Sequence, residues 1–207
     1  MLLRRDLREA FSDYKYFLNR GYTRKIALEA VTSRYSLSSS EKLLLYRCTH
    51  SDKEIQDLRS KIIEHPDEIL VDGYNVAITI INARDNDESF LCDDGFVRDL
   101  GLGKKKFDKR ILDTLFLIAK YATDTKIKCE ILLDAQISHS GEIASELRKR
   151  GVLANTAKTV DSLLIHSSIP ISTNDFLVLN SAKIIYNLTL RVLEKLSVRL
   201  VKIPDDI

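Results

Sequence analysis

After Pro66 the sequence alternates short apolar segments with amphipathic ones, and this alternation constrains the fold more than any other feature. Apolar segments that favour β-strands lie at 68–71, 129–133, 154–160, 169–172 and 199–203. Segments with apolar residues at helical spacing lie at 107–121, 142–150, 161–166 and 180–196. The patterns at 76–81 and 89–97 are ambiguous. Because strands that alternate with helices build a largely parallel sheet with helices on both faces, the sequence predicts an α/β domain over residues 67–207.

The residues before Pro66 carry helix signals throughout. Apolar side chains recur at three- and four-residue spacing at Leu3, Leu7, Phe11, Tyr14 and Leu18, which predicts a helix over about 3–19. Thr23 can cap a second helix. Capping boxes, a serine followed three residues later by a glutamate, begin a third helix at Ser38 and a fourth at Ser51. Pro66 ends the fourth near His65, so we predict a small all-α domain over residues 1–66.

The distribution of charge is compatible with a nucleic-acid partner. The first fifty residues contain ten Lys and Arg against five Asp and Glu, an excess of +5, and since the whole chain carries +2 the remainder carries −3. A basic binding surface beside an acidic site that a metal neutralises has this pattern, although ordinary solvated helix faces explain it equally well. The oligomeric state is open, a homodimer included.

The cysteines and the apolar runs predict the compartment. Cys48, Cys92 and Cys129 lie far apart without a CxxC pair, which argues against a disulfide framework and a zinc knuckle and favours a reducing cytoplasm. No run of eighteen apolar residues exists, and the charged start MLLRRDLREAF lacks the pattern of a signal peptide. We therefore expect a soluble cytoplasmic protein of 207 residues, 44% of them hydrophobic, with a sizeable core.

Four aspartates follow predicted strands, at the ends where parallel sheets bind ligands: Asp72, Asp134, Asp161 and Asp175. Helix capping explains any single one of them, but four from four strands indicate a shared site. Crowded carboxylates repel one another, so such a cluster needs protonation or a bound cation. Carboxylate oxygens without a His or Cys group favour Mg²⁺ or Mn²⁺ over zinc.

The segments around these aspartates carry a resemblance to a known family. The sequence VDGYNV at 71–76 resembles the opening motif of the NYN branch of the PIN-like nucleases. The segments LLDA at 132–135, KTVDSLL at 158–164 and ISTNDF at 171–176 are similar to its later strand ends, in the same order. The resemblance covers about 68–203. The whole arrangement, with a small helical N-terminal domain, is similar to an uncharacterised, mainly archaeal family.

The resemblance implies a PIN-like fold and a metal-dependent endoribonuclease that hydrolyses phosphodiester bonds of single-stranded or structured RNA. It implies that Asp72, Asp161 and Asp175 bind Mg²⁺ or Mn²⁺ and that Asp134 joins them as a catalytic residue. Asn75, Thr173 and Asn174 would contact the substrate. Many PIN domains have a further acidic residue on an early helix, for which Asp93 or Asp94 are the nearest candidates, although a turn before Gly95 explains both equally well.

Two further groups of residues are candidates for contacts with RNA. Ser138 and Ser140 precede a predicted helix, whose N-terminus favours a phosphate, although a serine cap explains them too. Basic side chains that could form a rim for the RNA backbone are Lys104, Lys105, Lys106, Lys109, Arg110, Arg148, Lys149 and Arg150.

Two other functions compete with the nuclease. One is a non-catalytic RNA-binding module that keeps the fold but has lost part of the metal site. The other is a phosphatase of the haloacid-dehalogenase type, which needs a second acid two residues after Asp72. Tyr74 stands at that position, so we rank this phosphatase last.

Overall fold

The computed structural model describes residues 6–85, 89–101 and 109–206. The N-terminal helices are α1 (Leu7–Asn19), α2 (Arg24–Tyr35), α3 (Ser39–Cys48) and α4 (Asp52–Arg59). The predicted cap at Thr23 and the capping boxes at Ser38 and Ser51 are confirmed. The fourth helix ends six residues before His65, because Ile63 donates a hydrogen bond to the carbonyl oxygen of Ile185 at 2.9 Å and leaves the helix direction.

The remaining described elements alternate between strand and helix. The strands are β1 (Glu68–Asp72), β2 (Ser89–Leu91), β3 (Val97–Asp99), β4 (Lys128–Asp134), β5 (Leu153–Ala157), β6 (Ile171–Ser172) and β7 (Val201–Lys202). The helices are α5 (Gly73–Arg84), α6 (Arg110–Asp124), α7 (Ser140–Lys149), α8 (Val160–Ile165), α9 (Phe176–Ser181) and α10 (Leu188–Lys195).

The main sheet has four parallel strands in the order β5-β4-β1-β6, which confirms the α/β class and the parallel sheet. In β1, Ile69 and Val71 pack in one core with residues of α5, α6, α7 and α10. Leu70 contacts a second core, which contains residues of α8 and α9. Because β4 and β5 lie on one side of β1 and β6 on the other, the strand order reverses beside Asp72, as it does at ligand sites of such sheets.

A second sheet, in the order β3-β2-β7, connects the N-terminal helices to the rest of the chain. The ambiguous segment 89–97 forms most of an antiparallel hairpin, β2 with β3. The predicted strand at 199–203 is shorter and pairs with β2 instead of the main sheet. Residues of α1–α3 share a core with Phe90, Cys92, Leu100 and Ile203, and the domain boundary at residue 66 stays a prediction.

The prediction that the cysteines form no disulfide was wrong for Cys48 and Cys92. Cys48, the last residue of α3, forms a disulfide with Cys92, which follows β2, and Cys129 is free. The pairing is between residues 44 positions apart, which only the packing of α3 on the second sheet brings together.

The predicted long helix over 180–196 was also wrong. It is replaced by α9 and α10, because Ile185 between them is fully buried and forms isolated parallel bridges with Ile62 and Ile171. The strand predicted over 154–160 ends at Ala157, and Val160 already begins α8. Within the described residues, no helix combines the length and hydropathy needed to cross a bilayer.

Gly73 sets the distance between α5 and the main sheet. A Cβ atom at this position would lie 2.7 Å from Leu133 Cδ2, 2.8 Å from Ile131 Cγ2 and 3.0 Å from the carbonyl oxygen of Leu132. Since side chains do not approach that closely, the helix that begins after Asp72 lies directly on β4 only because residue 73 is glycine. The close approach fixes where the carboxylate of Asp72 leaves the sheet.

Candidate functional site

A cleft of about 610 Å³ lies at the carboxyl end of the main sheet. Its acidic lining residues are Asp72, Asp134, Asp161 and Asp99. We call it the carboxylate cleft. Three of these aspartates are predicted site residues, which the parallel topology brings to one edge of the sheet. Asp72 and Asp134 end β1 and β4, whereas Asp161 lies in the first turn of α8, after β5, instead of at the predicted strand end.

Asp72 is the half-buried centre of this cleft. Its Oδ2 accepts a hydrogen bond from Thr173 Oγ1 at 3.0 Å, and its Oδ1 accepts one from the Asn75 backbone N–H at 3.3 Å. Burial is the main reason that the pKa of Asp72 is raised to about 6; the charges of Asp161 and Asp175 add to this increase, and the two hydrogen bonds oppose it. Two hydrogen bonds therefore fix the orientation of the Asp72 carboxylate, but they do not offset the cost of its buried negative charge.

Asp134 and Asp161 lie on the β4 and β5 side of Asp72. Asp134 ends β4, and its Oδ1 accepts a hydrogen bond from the Gln136 backbone N–H at 2.8 Å. Asp161 is an exposed residue in the first turn of α8. Desolvation raises the pKa of Asp161, and the charges of Asp175 and Asp134 add to this. These aspartates therefore act on one another electrostatically, and none of Asp72, Asp134 and Asp161 forms an ion pair with a basic side chain among the described residues.

Asp175 lies at a second, adjoining cavity of about 230 Å³, which we call the arginine pocket. Asp175 caps α9, because its Oδ1 accepts hydrogen bonds from the backbone N–H groups of Leu177 at 2.8 Å and Val178 at 3.2 Å. Its charge still contributes to the raised pKa values of Asp72 and Asp161. The structure therefore gives Asp175 a helix-capping role, and its metal role stays a prediction.

The predicted substrate residues beside these aspartates form hydrogen bonds between the end of β1 and the end of β6. Asn75 Oδ1 accepts hydrogen bonds from the backbone N–H of Asn174 at 2.7 Å and from its Nδ2 at 3.1 Å. Thr173 Oγ1 donates to Asp72 and accepts a hydrogen bond from the Asp175 N–H at 3.3 Å. Thr173 is thus a positioning residue for Asp72, while Asn75 and Asn174 line the arginine pocket.

Ser138 and Ser140 lie apart from the carboxylate cleft. They line a neighbouring cavity formed by residues 135–142, which shares Gln136 and Ile137 with the carboxylate cleft. The N-cap residue of α7 is His139, in the left-handed conformation with φ +66°, and it makes no side-chain cap. Glu142 lies 3.2 Å from His139 Nδ1, which places a negative charge at this helix start. The serine cap was therefore wrong, and an acidic neighbour opposes a phosphate here.

Asp93 and Asp94 do not complete the carboxylate cleft. His50 Nδ1 lies 2.7 Å from Asp93 Oδ1, and Arg98 donates to both oxygens of Asp94 at 2.8 and 2.6 Å. Burial opposes the charge of Asp94, but Arg98 and His50 lower its pKa below the usual range. Among the described residues, only His50, Asp93 and Asp94 form a group of three metal-ligating side chains with donor atoms within 4.8 Å of one another.

The members of the predicted basic rim that the structure describes do not line the carboxylate cleft. Lys104, Lys105 and Lys106 lie outside the described residues. Arg148, Lys149 and Arg150 lie at the end of α7, just before β5 begins, and therefore at the opposite edge of the main sheet. Arg110 forms an ion pair with Asp85 at 2.8 Å, and neither it nor Lys109 is among the residues that line the cleft.

Three charged residues that line the cleft were not predicted: Arg47, Asp99 and Lys158. Arg47 belongs to α3, and its Nη1 donates to the carbonyl oxygen of Asp99 at 2.6 Å. Asp99 accepts a hydrogen bond from Thr79 at 3.3 Å. In the sequence Arg47 is one of ten basic residues of the first fifty, and Asp99 follows an ambiguous segment, so no local signal distinguishes them.

Comparisons with known proteins identify the family of this chain. Residues 6–61 match the model of "Protein of unknown function (DUF434)", and residues 62–191, more than half of the chain, match "Domain of unknown function (DUF5616)". Uncharacterized protein MJ0935 of Methanocaldococcus jannaschii is 35% identical over 150 residues, which cover 70% of this chain and 72% of that protein. No solved structure gives a significant match. The chain therefore belongs to the DUF5616 family.

Proposed function

We propose that the protein is a metal-dependent endoribonuclease with a PIN-like α/β domain preceded by a small all-α domain. The observation that carries this proposal is the carboxylate cleft, where Asp72 and Asp134 from two strand ends and Asp161 from the start of α8 line one cavity. The resemblance of the segments around Asp72, Asp161 and Asp175 to the NYN branch supports the same chemistry. RNA is the proposed substrate.

The donor set of the cleft fits a hard divalent cation. The side chains are carboxylates, which Mg²⁺ and Mn²⁺ prefer. The raised pKa values of Asp72 and Asp161 reflect burial and mutual repulsion, and a cation would relieve the repulsion. When bound, such a cation supplies positive charge that acidifies an attacking water and stabilises the departing oxygen of a phosphodiester. Asp72, Asp161 and Asp175 are the proposed ligands.

The side chains around Asp72 have distinct proposed roles. Thr173 and the Asn75 N–H hold the two oxygens of Asp72 in a single orientation. Arg47 and Lys158 line the same cleft and attract the RNA backbone. Asp134 is close enough to Asp161 to raise its pKa. Its proposed role is to orient the water that attacks the phosphodiester.

The experiment that tests the proposal compares two aspartates of the same strand region. Wild-type protein with Mn²⁺ should cleave single-stranded RNA, and Asp72→Asn should reduce the cleavage rate at least about a hundredfold, since the charge that positions cation and water is removed. Asp67→Asn is the matched control, because Asp67 is exposed at the opposite end of β1. Product formation on a denaturing gel measures both.

One observation favours a second candidate, a non-catalytic RNA-binding module. Among the described residues, the strand-end aspartates do not form a group of three with donor atoms within 4.8 Å, whereas His50, Asp93 and Asp94 do. If wild-type protein binds RNA but cuts none with any divalent cation, or if Asp72→Asn cuts at the wild-type rate, the binding module replaces the nuclease.

A further inference from the structure

The arginine pocket lies between the N-terminal helices and the end of β6. Its walls include Arg24, Tyr46 and Arg47 from one side and Asn174, Phe176 and Leu177 from the other. Its volume of about 230 Å³ is below the roughly 300–1,000 Å³ of sites for drug-sized ligands, so it suits a single planar ring or a phosphate. The pocket exists only because both parts of the chain contribute to it.

Two arginines of this pocket are structural. Arg24 Nη2 donates to both oxygens of Glu54 at 3.0 Å. Arg98 donates to Asp94 and, through Nε, to the carbonyl oxygen of Asn174 at 3.0 Å. Their charges are neutralised within the wall, and they hold the pocket in shape rather than bind a ligand.

Arg47 differs from the other two because it faces both cavities. It lines the arginine pocket and the carboxylate cleft, as do Asn75 and Asp99. Its Nη1 donates to a carbonyl oxygen, while the nearest carboxylate oxygen of Asp99 is 3.8 Å away. Within the described residues its hydrogen bond is made by Nη1, its Nη2 has no acceptor, and its side chain is 36% exposed. Because Arg47 lines both cavities, its guanidinium is placed to contact an anion that spans them.

The opposite wall has features that select a base or sugar. Asn174 is 4% exposed, and its Oδ1 is buried without a hydrogen-bond donor among the described residues, which leaves an acceptor for an N–H or a hydroxyl group. Phe176 is held in place, with its ring centroid 4.4 Å from that of His50 and 4.6 Å from the Arg24 guanidinium. Tyr46 and Leu177 are 44% and 69% exposed. Bases stack on exposed aromatic side chains, such as that of Tyr46, irrespective of sequence.

We propose that the arginine pocket binds the base of one nucleotide of a single-stranded RNA, next to the phosphodiester in the carboxylate cleft, with Arg47 contacting the phosphate that joins the two positions. This inference rests on the proposed function of the cleft and deepens it. If the base binds there, the N-terminal helices are part of the substrate site. The substrate must then be a single strand whose bases can unstack.

The test measures binding without cleavage. The probe is a 5′-fluorescein-labelled trinucleotide of uridine, titrated with full-length protein in EDTA and followed by fluorescence anisotropy. Arg47→Gln should raise the Kd about tenfold, as expected for loss of a charge-assisted hydrogen bond. It should also lower the slope of log K against log salt concentration by about 0.7, the value for one phosphate of a single strand. Arg59→Gln removes the same charge from an exposed residue of α4 and should change the Kd less than twofold.

A second variant keeps the proposal testable if Arg47→Gln unfolds the protein. Leu177→Glu places a negative charge at the exposed mouth of the pocket without changing the core, and it should also weaken binding of the trinucleotide. Leu153→Glu is its control, because Leu153 is 44% exposed at the beginning of β5 and lines neither cavity.

The two proposals fail in different ways. If wild-type protein cleaves RNA but Arg47→Gln and Leu177→Glu bind the trinucleotide as tightly as their controls, the nucleotide pocket is overturned and the nuclease remains. If binding depends on both residues but no cation supports cleavage, the pocket stands and the chemistry of the cleft is wrong.

Discussion

At the scale of residues, Asp72 couples the candidate site to stability. Its carboxyl group has a pKa of about 6 in the folded protein against an ordinary 3.8, so the folded state binds this proton more tightly than the unfolded state. The stability contributed by this proton is therefore fully present below about pH 4 and is lost as the pH rises through about 6. In the metal-free protein at neutral pH, the charge of Asp72 is a destabilising feature.

We therefore expect Asp72→Asn to be more stable than the wild type at about pH 8 without metal, by at most roughly 3 kcal/mol, and equally stable near pH 4. The physical reason is that asparagine keeps the size but removes the poorly solvated charge. Thermal unfolding in EDTA at several pH values measures the difference. Asp67→Asn, at an exposed position, should show no such trend, and a less stable Asp72→Asn at pH 8 would contradict the account of Asp72.

At the scale of elements, Gly73 decides how α5 lies on β4. We expect Gly73→Ala to destabilise the protein by about 1–3 kcal/mol, because the added Cβ overlaps Leu133, Ile131 and backbone. The shift of α5 should also displace the turn that holds Asp72, so a variant that still folds should lose Mn²⁺-dependent cleavage. Denaturant unfolding and a cleavage assay measure the two effects.

Gly141 is the matched control for Gly73. It also lies in the first turn of a helix, but a Cβ there would meet no atom within 4 Å. Gly141→Ala should therefore be neutral or stabilising by up to about 1 kcal/mol, since alanine reduces the freedom of the unfolded chain. Equal effects of the two substitutions would mean that close packing against β4 does not govern this turn.

At the scale of the whole molecule, the N-terminal helices do not have a core to themselves. Leu44 of α3 is fully buried in the core that also contains Phe90 and Ile203 of the second sheet. We expect Leu44→Ala to cost about 2–5 kcal/mol and to lower the stability of helices and main sheet in one transition. Hydrogen exchange should show reduced protection in β1 as well as in α1.

Leu153→Ala, at an exposed position of β5, is the control for Leu44→Ala and should leave exchange unchanged within error. Protection lost in α1–α3 alone, with β1 unaffected, would show that the helices unfold independently. In that case the chain would consist of two cooperative units, as the boundary at residue 66 predicts.

The sequence by itself determined what depends on near neighbours. The caps at Thr23, Ser38 and Ser51 need only residues three positions away, and the strand that ends at Asp72 is readable because a buried parallel strand is a short apolar run. Alternation of such strands with helices implies their shared direction, so the arrival of Asp72, Asp134 and Asp161 at one edge was also predictable.

The tertiary structure alone decided contacts between distant parts of the chain. Thr173 donates to Asp72 across 101 positions, and Arg47 reaches Asp99 across 52. Neither pair can be recognised from the neighbouring sequence, because most threonines and arginines at the ends of helices and strands make other contacts. The same holds for Ile185, which interrupts a helical pattern because burial between Ile62 and Ile171 outweighs the weak local preference for helix. The carboxylate cleft could therefore be predicted from the sequence, whereas the arginine pocket beside it could not.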